Sequence, residues 1–486
     1  MKKLSLKEID AIINSDDIKV IKSILLELIE TVKDLTLENI QLKAEIENLR
    51  GQISKNSRNS SKPPSTDGLK QIPQSTRKNS KLKPGAQKGH QGYTLQKTNN
   101  PDYIKKYTVE ECENCKSSLK NKKSDTIESR QVFDVPPAKL EVTEHQVEVK
   151  QCPHCKHINK AEFPKDVTAP VQYGQRVKAM VIYLKGYQLL SLERTTELFE
   201  DLFGFSLSEG TLNNIIKKAS YKLNDTLEQI KDQIKRSKIA HFDETGISVM
   251  KKRSWLHTAS TEKLTYYEVH DKRGSEAMDD IGILPEFRGR SIHDFWKAYW
   301  IYEKCKHGLC NAHHLRELIF LHEEQEQSWA KNMIDCLLQI KESVDYARET
   351  TDHLEPKQIE TFKSIYESII AEGYEDNPLR VSDCNIKRPG RVKKSKSRNL
   401  LERLDECWEE VLAFMYDFNV PFDNNLAERD IRMVKVQQKI SGTFRSKDGS
   451  KAFCRIRSYI STVKKNCLSV IDSIEGIFDG KFAEIF

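Results

Sequence analysis

From Ile21 to Ile53 the apolar residues step by three and four along the chain, through Ile21, Leu25, Leu28, Val32, Leu35, Leu42, Ile46, Leu49 and Ile53, with Asn39 in the one gap. Such a repeat keeps a narrow stripe on one side of a helix and predicts a coiled coil, or leucine zipper, over residues 1–53. Leu28, Leu35, Leu42 and Leu49 at d, branched residues at several a positions and Asn39 at a favour a parallel homodimer. An asparagine in the seam pairs best with its own copy.

After the zipper the pattern changes repeatedly. Residues 106–165 contain QVFDV and KLEVTEHQVEVKQC, whose alternation predicts strands. Residues 170–237 have helical periodicity. Within them LERTTELFEDLFGFSLSEGTLNNIIKKA reads as a helix through Leu202, a stop at Gly204 and a second helix entered from Ser206 or Ser208, the outline of a helix-turn-helix, a helix pair that occurs in plain bundles as well as in DNA readers. From Lys238, KIAHFDETGISV, RSWLHTAS and LTYYEVH predict three consecutive strands, with Asp243 at the end of the first. SEAMDDIGIL follows as a helix and GRSIHDFWKAYW as a fourth strand reaching Asp294. After a further helix KHGLCNAH forms a fifth strand, so residues 238–314 read β-β-β-α-β-α-β. Residues 315–419 return to helical patterns, an insertion. Residues 420–486 open on PFDNNLAERDIRMVK, where Pro421 stops one helix and Asp423 or Asn424 caps the next.

The 486 residues carry a formal charge of only +7, which excludes a histone-like overall basicity and makes any nucleic-acid surface local. Two stretches qualify. Residues 54–105 are a flexible linker rich in Ser, Asn, Lys, Gln, Pro and Gly, nearly one-signed up to Asn100, where Asp67 is its single acid. A basic loop in the insertion, KRPGRVKKSKSRN, includes Lys393, Lys394 and Lys396; both stretches can neutralise DNA phosphates without reading sequence. No apolar run is long enough to span a bilayer, and MKKLSLKEID has charges where a signal peptide needs its apolar core. The expectation is a cytoplasmic, nucleoid-associated protein with no membrane partner.

Eleven cysteines, an odd number, argue against a disulfide framework. Two pairs stand out, Cys112-Glu-Asn-Cys115 and Cys152-Pro-His-Cys155, each able to form a thiolate knuckle. Brought together, the four sulfurs make a closed tetrahedral site for structural Zn²⁺. His154 and His157 are less economical ligands, and a redox dithiol is the weaker reading because two pairs are present.

The candidate chemistry rests on three acids: Asp243 on the first strand of the core, Asp294 after the fourth, and Glu428 on a late helix. Asn424, Glu428, Arg432 and Lys435 share a face of that helix. Carboxylates held a few ångströms apart stay ionised together only beside a cation, and hard oxygen donors suit Mg²⁺ or Mn²⁺. Two such ions can activate a water or a 3′-hydroxyl on one side of a phosphodiester and stabilise the departing oxygen on the other. Arg432 and Lys435 would then position phosphates. Cys310 and His313 form a C-x-x-H element with a structural role beside the site; a second zinc site there would call on Cys305 and His307. His241 reads as a packed or hydrogen-bonded strand histidine, and Trp255 and Trp296 as core or DNA-stacking aromatics, with core favoured.

With these strings in view, KNSRNSSKPPSTDG, GAQKGHQG, the two C-x-x-C pairs, HFDETG, SIHDFW, LCNAHHLREL and VPFDNNLAERDIRMVK, the chain resembles the IS66-type transposases of bacterial insertion sequences nearly end to end. The resemblance implies a DDE-type, RNase H-like α/β catalytic domain with Asp243, Asp294 and Glu428 as its triad and as its Mg²⁺ or Mn²⁺ ligands. The expected fold class is multidomain α+β: N-terminal coiled coil, zinc-binding module, helical DNA-binding region, and the RNase H-like domain interrupted by a helical insertion. The expected substrates are the terminal inverted repeats and a target duplex, with accessory proteins from the same element as partners. The alternatives are an inactive or domesticated DNA-binding regulator, and an RNase H-like nuclease that never joins ends.

Overall fold

The computed structural model describes residues 18–60, 94–379 and 394–485. In chain order the elements are helix α1 (Ile18–Ile53), strands β1 (Val149–Gln151) and β2 (Ile158–Lys160), and helices α2 (Gln175–Ile182), α3 (Leu192–Phe203), α4 (Glu209–Lys222) and α5 (Asn224–Arg236). Strands β3 (Ile239–Val249), β4 (Lys252–Ser260) and β5 (Thr265–His270) follow, then α6 (Ser275–Ile281), β6 (Arg290–His293) and β7 (Lys306–Leu309). Next come α7 (Asn311–Gln325), α8 (Ser328–Ala347), α9 (Pro356–Asp376), α10 (Lys396–Glu406), α11 (Trp408–Val411) and α12 (Ala413–Tyr416). The run ends with α13 (Asn425–Ser441), α14 (Lys447–Lys465) and α15 (Val470–Asp479). The mixture of helix and sheet is as expected. These elements divide into two compact units, one within Met1–Gln74, Tyr173–Ser191 and Asn213–Phe486, the other within Ser75–Gln172 and Leu192–Leu212.

The first unit is built on one five-stranded sheet in the order β5-β4-β3-β6-β7. β3 pairs antiparallel with β4, and β4 with β5, while β3–β6 and β6–β7 are parallel. The β3–β4 hairpin closes through a two-residue turn with both Met250 and Lys251 at positive φ, the conformation that matches strand twist and is usually filled by Asn-Gly. The Met250 N–H donates to the Phe444 carbonyl at 2.7 Å, which ties this turn to the loop between α13 and α14. On one sheet face Ile247, Val249, Leu256 and Tyr267 pack against Ile431 and Val434 of α13 and Phe453 of α14. Around β6 and β7, Ile292 and Leu309 join a second core with Leu318 of α7, Trp329 and Met333 of α8, Tyr366 of α9 and Leu401 of α10. Among the described residues the interval between β7 and α13 holds the helices α7 to α12.

Two strand-level expectations need correction. β3 does not stop at Asp243 but continues to Val249, because Ile247 and Val249 have a core to enter. Between β6 and β7 there is only a single 3₁₀ turn, Lys297–Tyr299, in place of a helix; the aromatic run Phe295, Trp296, Tyr299 and Trp300 packs as a loop cluster instead.

The second unit contains the two cysteine pairs, and their backbones repeat one design. Cys112 N–H donates to the Ser117 carbonyl at 3.0 Å and Lys116 N–H to the Cys112 carbonyl at 3.0 Å; in the other pair Cys152 N–H donates to His157 at 2.8 Å and Lys156 N–H to Cys152 at 2.9 Å. Lys116 and Lys156 both take positive φ, so each thiol pair sits in a tight turn. β1 and β2 flank the second knuckle as an antiparallel hairpin. In the same unit Gly204, at φ +68°, ends α3 where a stop was expected.

Candidate active site

Alternate residues of β3 face opposite sides of the sheet. His241, Asp243, Ile247 and Val249 share one side, the side that α13 covers. β3 and β6 run parallel with His241 opposite Ile292, so two residues further on Asp243 and Asp294 stand beside each other at the carboxyl ends of the parallel pair. Asp294 lies just past β6, where its carboxylate accepts the Trp296 N–H at 2.9 Å.

α13 brings in Glu428, and Asn424 sets where it lands. The Asn424 side chain does not cap its helix; Asp423 accepts the Asn425 N–H at 3.0 Å instead. Its amide nitrogen donates to the Phe242 carbonyl at 2.8 Å and its Oδ1 bonds His241 Nδ1 at 2.9 Å. The Asn424 N–H meets Cys310 Sγ at 3.2 Å. Three distant pieces of chain, β3, the end of β7 and the start of α13, are thus clipped at one point. Farther along, Asp430 Oδ2 accepts from Ser260, Thr265 and Lys465 at 2.7, 3.0 and 2.8 Å, fixing the helix against β4, β5 and α14.

The electrostatics follow from this crowding. Burial, then the charges of Glu244, Glu428 and Asp294, push the Asp243 carboxyl well above the usual carboxylate range. Glu244 lies on the opposite sheet face, where it accepts from Arg273 Nη2 at 2.6 Å and from the Tyr299 hydroxyl at 2.5 Å. Arg273 in turn lies 4.9 Å from the Trp255 ring and 4.2 Å from the Trp296 ring. Both tryptophans are half-buried partners of an arginine, not the core residues expected. Glu244, Arg273 and Tyr299 were missed from sequence; only the alternation of the DE pair across β3 hinted that a second acid would need its own partner.

Around Glu428 stand Cys310, His313 and Arg316. Cys310 is the N-cap residue of α7 and His313 lies in its first turn, a spacing that puts both side chains over one face. The potential ligand atoms of Cys310, His313 and Glu428 all lie within 4.8 Å of one another. Burial pushes the Cys310 thiol up to about 12, and burial with nearby Arg316 lowers His313 from its ordinary value. The rest of the motif faces away: Asn311 donates to the Val411 carbonyl at 2.9 Å, and its Oδ1 bonds His314 Nδ1 at 3.1 Å. Cys305 and His307 belong to a different cluster, since Cys305 donates to the Tyr302 carbonyl and His307 bonds His293 at 2.9 Å.

The remaining expected residues are placed as follows. Arg432 is exposed, 3.8 Å from Glu428. Lys435 donates to the Gly246 carbonyl at 2.6 Å. Lys394 pairs with Glu402 at 2.5 Å, and Lys396 lies over the Phe320 ring. Lys393 and linker residues 61–93 lie outside the described residues. Among the described residues the Cys310 group is the one set of three or more ligands gathered this closely, so the knuckle of Cys112 and Cys115 and that of Cys152 and Cys155 are not drawn into one four-sulfur set. Leu28, Leu35, Leu42 and Leu49 of α1 are half or more exposed and Asn39 is exposed, so no described residue covers the heptad stripe at these positions.

Residues 170–452, more than half of the chain, match the transposase IS66 family. The chain belongs to the IS66 transposase family. Residues 110–156, which contain all four knuckle cysteines, match the zinc-finger binding domain of IS66 transposases, and residues 15–96 match a family of unknown function. No curated protein matches the chain. Membership in the IS66 family supports a transposase function and DNA binding, and the zinc-finger match supports structural Zn²⁺. No described helix is long and apolar enough to cross a membrane.

Proposed function

We propose that this IS66 family member is a DDE-type enzyme that binds the terminal inverted repeats of its own element, cleaves DNA to expose 3′-hydroxyl ends and joins them to a target duplex. The observation that carries the reading is the convergence of three acids from β3, from the end of β6 and from α13: Glu428 and Asp294 both add, after burial and Glu244, to the rise of the Asp243 carboxyl above its ordinary value. The strand order β5-β4-β3-β6-β7, with the first strand central, antiparallel neighbours on one side and parallel ones on the other, supports an RNase H-like core.

The donor set fits Mg²⁺ or Mn²⁺: carboxylate oxygens that repel one another and that lie at the carboxyl ends of parallel strands. Asp243, Asp294 and Glu428 would hold the cations, which when bound polarise the phosphoryl group and lower the pKa of an attacking water or hydroxyl. The chain's own residues do the rest. Asn424 and Asp430 hold Glu428 in register, Arg432 offers an exposed guanidinium to a phosphate, and Trp255, Trp296 and Arg273 line the neighbouring edge. Cys112, Cys115, Cys152 and Cys155 would hold Zn²⁺, and backbone amides in both turns bond a sulfur, Ser117 to Cys115 and His154 and Cys155 to Cys152. The uncovered stripe of α1 supports a zipper that joins two protomers and so holds both ends of the element in one complex. Lys394, Lys396 and Lys393 are proposed DNA contacts in the insertion, accessory proteins from the same element are proposed partners, and the nucleoid is the proposed location.

The test uses a labelled duplex carrying the DNA that flanks the gene, incubated with Mg²⁺ or Mn²⁺ and the accessory proteins. Joined products are expected, reduced at least about 1,000-fold in Asp243→Asn, Asp294→Asn and Glu428→Gln, since metal-held charge stabilisation amounts to several kcal/mol. Cleavage without joining would favour the nuclease, and specific binding without products in any protein would favour the regulator.

A further inference from the structure

Glu428 has two oxygens with different surroundings. Oε2 faces the cations Arg316 and Arg432 at 4.0 and 3.8 Å. Oε1 is buried without a hydrogen-bond partner, and so is His313 Nδ1, 4.0 Å away. That separation is too long for a hydrogen bond, and two buried polar atoms left facing each other are a cost a folded protein normally removes. The thiol of Cys310, itself 1% exposed, completes the group.

We propose that Cys310, His313 and Glu428 form a binding site for a borderline-soft divalent ion, Zn²⁺ first among them, separate from the zinc finger. Sulfur, imidazole nitrogen and carboxylate oxygen form a three-ligand set that leaves a fourth position open. Tetrahedral zinc needs ligand atoms about 3.5 Å apart, so side-chain rotation of about 1 Å closes the set from its present span. The surroundings suit it. Cys310 sits at the amino end of α7, and the Asn424 N–H already donates to its sulfur, as outer-shell donors do at metal thiolates. The C-x-x-H spacing on one helix face supplies two ligands from one rigid element, and α13 supplies the third. Bound there, the ion would anchor Glu428 to α7.

Zn²⁺ bound per chain is measured on the full protein after removal of loosely held metal, for the parent, a knuckle variant (Cys112→Ser with Cys115→Ser), and each of these with Cys310→Ser or His313→Ala. The knuckle variant is expected to retain Zn²⁺ and to lose it when Cys310 or His313 is also changed. Substituted with Co²⁺, it is expected to show a thiolate-to-metal absorption band that disappears with Cys310→Ser. Equal Zn²⁺ content with and without Cys310, at unchanged thermal melting, overturns the site; if Cys310→Ser melts early, the milder His313→Asn decides. Asp243→Asn is expected to keep this Zn²⁺ while losing strand transfer, so failure of the metal site and failure of the DDE reading give different results.

Discussion

Asn424 is 2% exposed, and its side chain answers two buried groups of β3 at once. Asn424→Ala would leave the Phe242 carbonyl and His241 Nδ1 without partners, and each such loss costs about 1–3 kcal/mol. A lowered denaturation midpoint and a loss of strand transfer are expected together, with zinc-finger metal content unchanged; a variant as stable as the parent would remove Asn424 from its positioning role. Sequence placed Asn424 on the same face of α13 as Glu428 and offered Asp423 or Asn424 as the cap; the structure uses Asp423. The difference is physical: Asp423, one residue earlier, satisfies the helix end, which frees the Asn424 amide to bond across to another element. His241 was legible as a hydrogen-bonded strand histidine because a buried imidazole needs a partner.

At the scale of elements, α1 is a 36-residue helix whose stripe of Leu28, Leu35, Leu42 and Leu49 is exposed among the described residues. Its stability calls for a partner, since most helical stability comes from burying an amphipathic face. Leu35→Asp with Leu42→Asp would set like charges into the seam and is expected to convert a dimer to a monomer in analytical ultracentrifugation, with metal binding retained. A dimer that persists would locate the oligomer contact elsewhere. Helix α1, the strands β3 to β7 and the turn at Gly204 were readable because each has a period or a punctuating residue of its own. The run to Val249 was not, because polar Glu244, Thr245 and Gly246 mask a strand whose burial comes from α13 and α14.

Across the whole molecule, folding buries histidines that must stay neutral. Burial pushes His257 down to about 4 and His293 to about 3. In the unfolded chain both titrate near about 6.5, so below that pH the unfolded state takes up protons that the folded state refuses. Their contribution is intact above about pH 6.5 and declines as pH falls toward 4, by roughly 3 kcal/mol for His257 alone. Denaturation midpoints followed from about pH 7 to about pH 5 should fall, and His257→Gln should flatten the slope. An unchanged slope in that variant would mean that His257 is protonated in the folded protein.

What sequence by itself determined are the features with a local signature: the heptad stripe, the two knuckles, the β-β-β run, the late polar helix face and the positions of the acids along the chain. What only the tertiary structure decided is which of these meet. The parallel register of β3 and β6 sets Asp243 beside Asp294, Asn424 clips α13 to both β3 and Cys310, and the C-x-x-H element turns from an unexplained motif into neighbours of Glu428. These contacts join residues more than a hundred positions apart, or strands that are not consecutive, and no period or spacing in one chain encodes them. They exist because burying the apolar faces of the sheet and its helices leaves a single way to stack them.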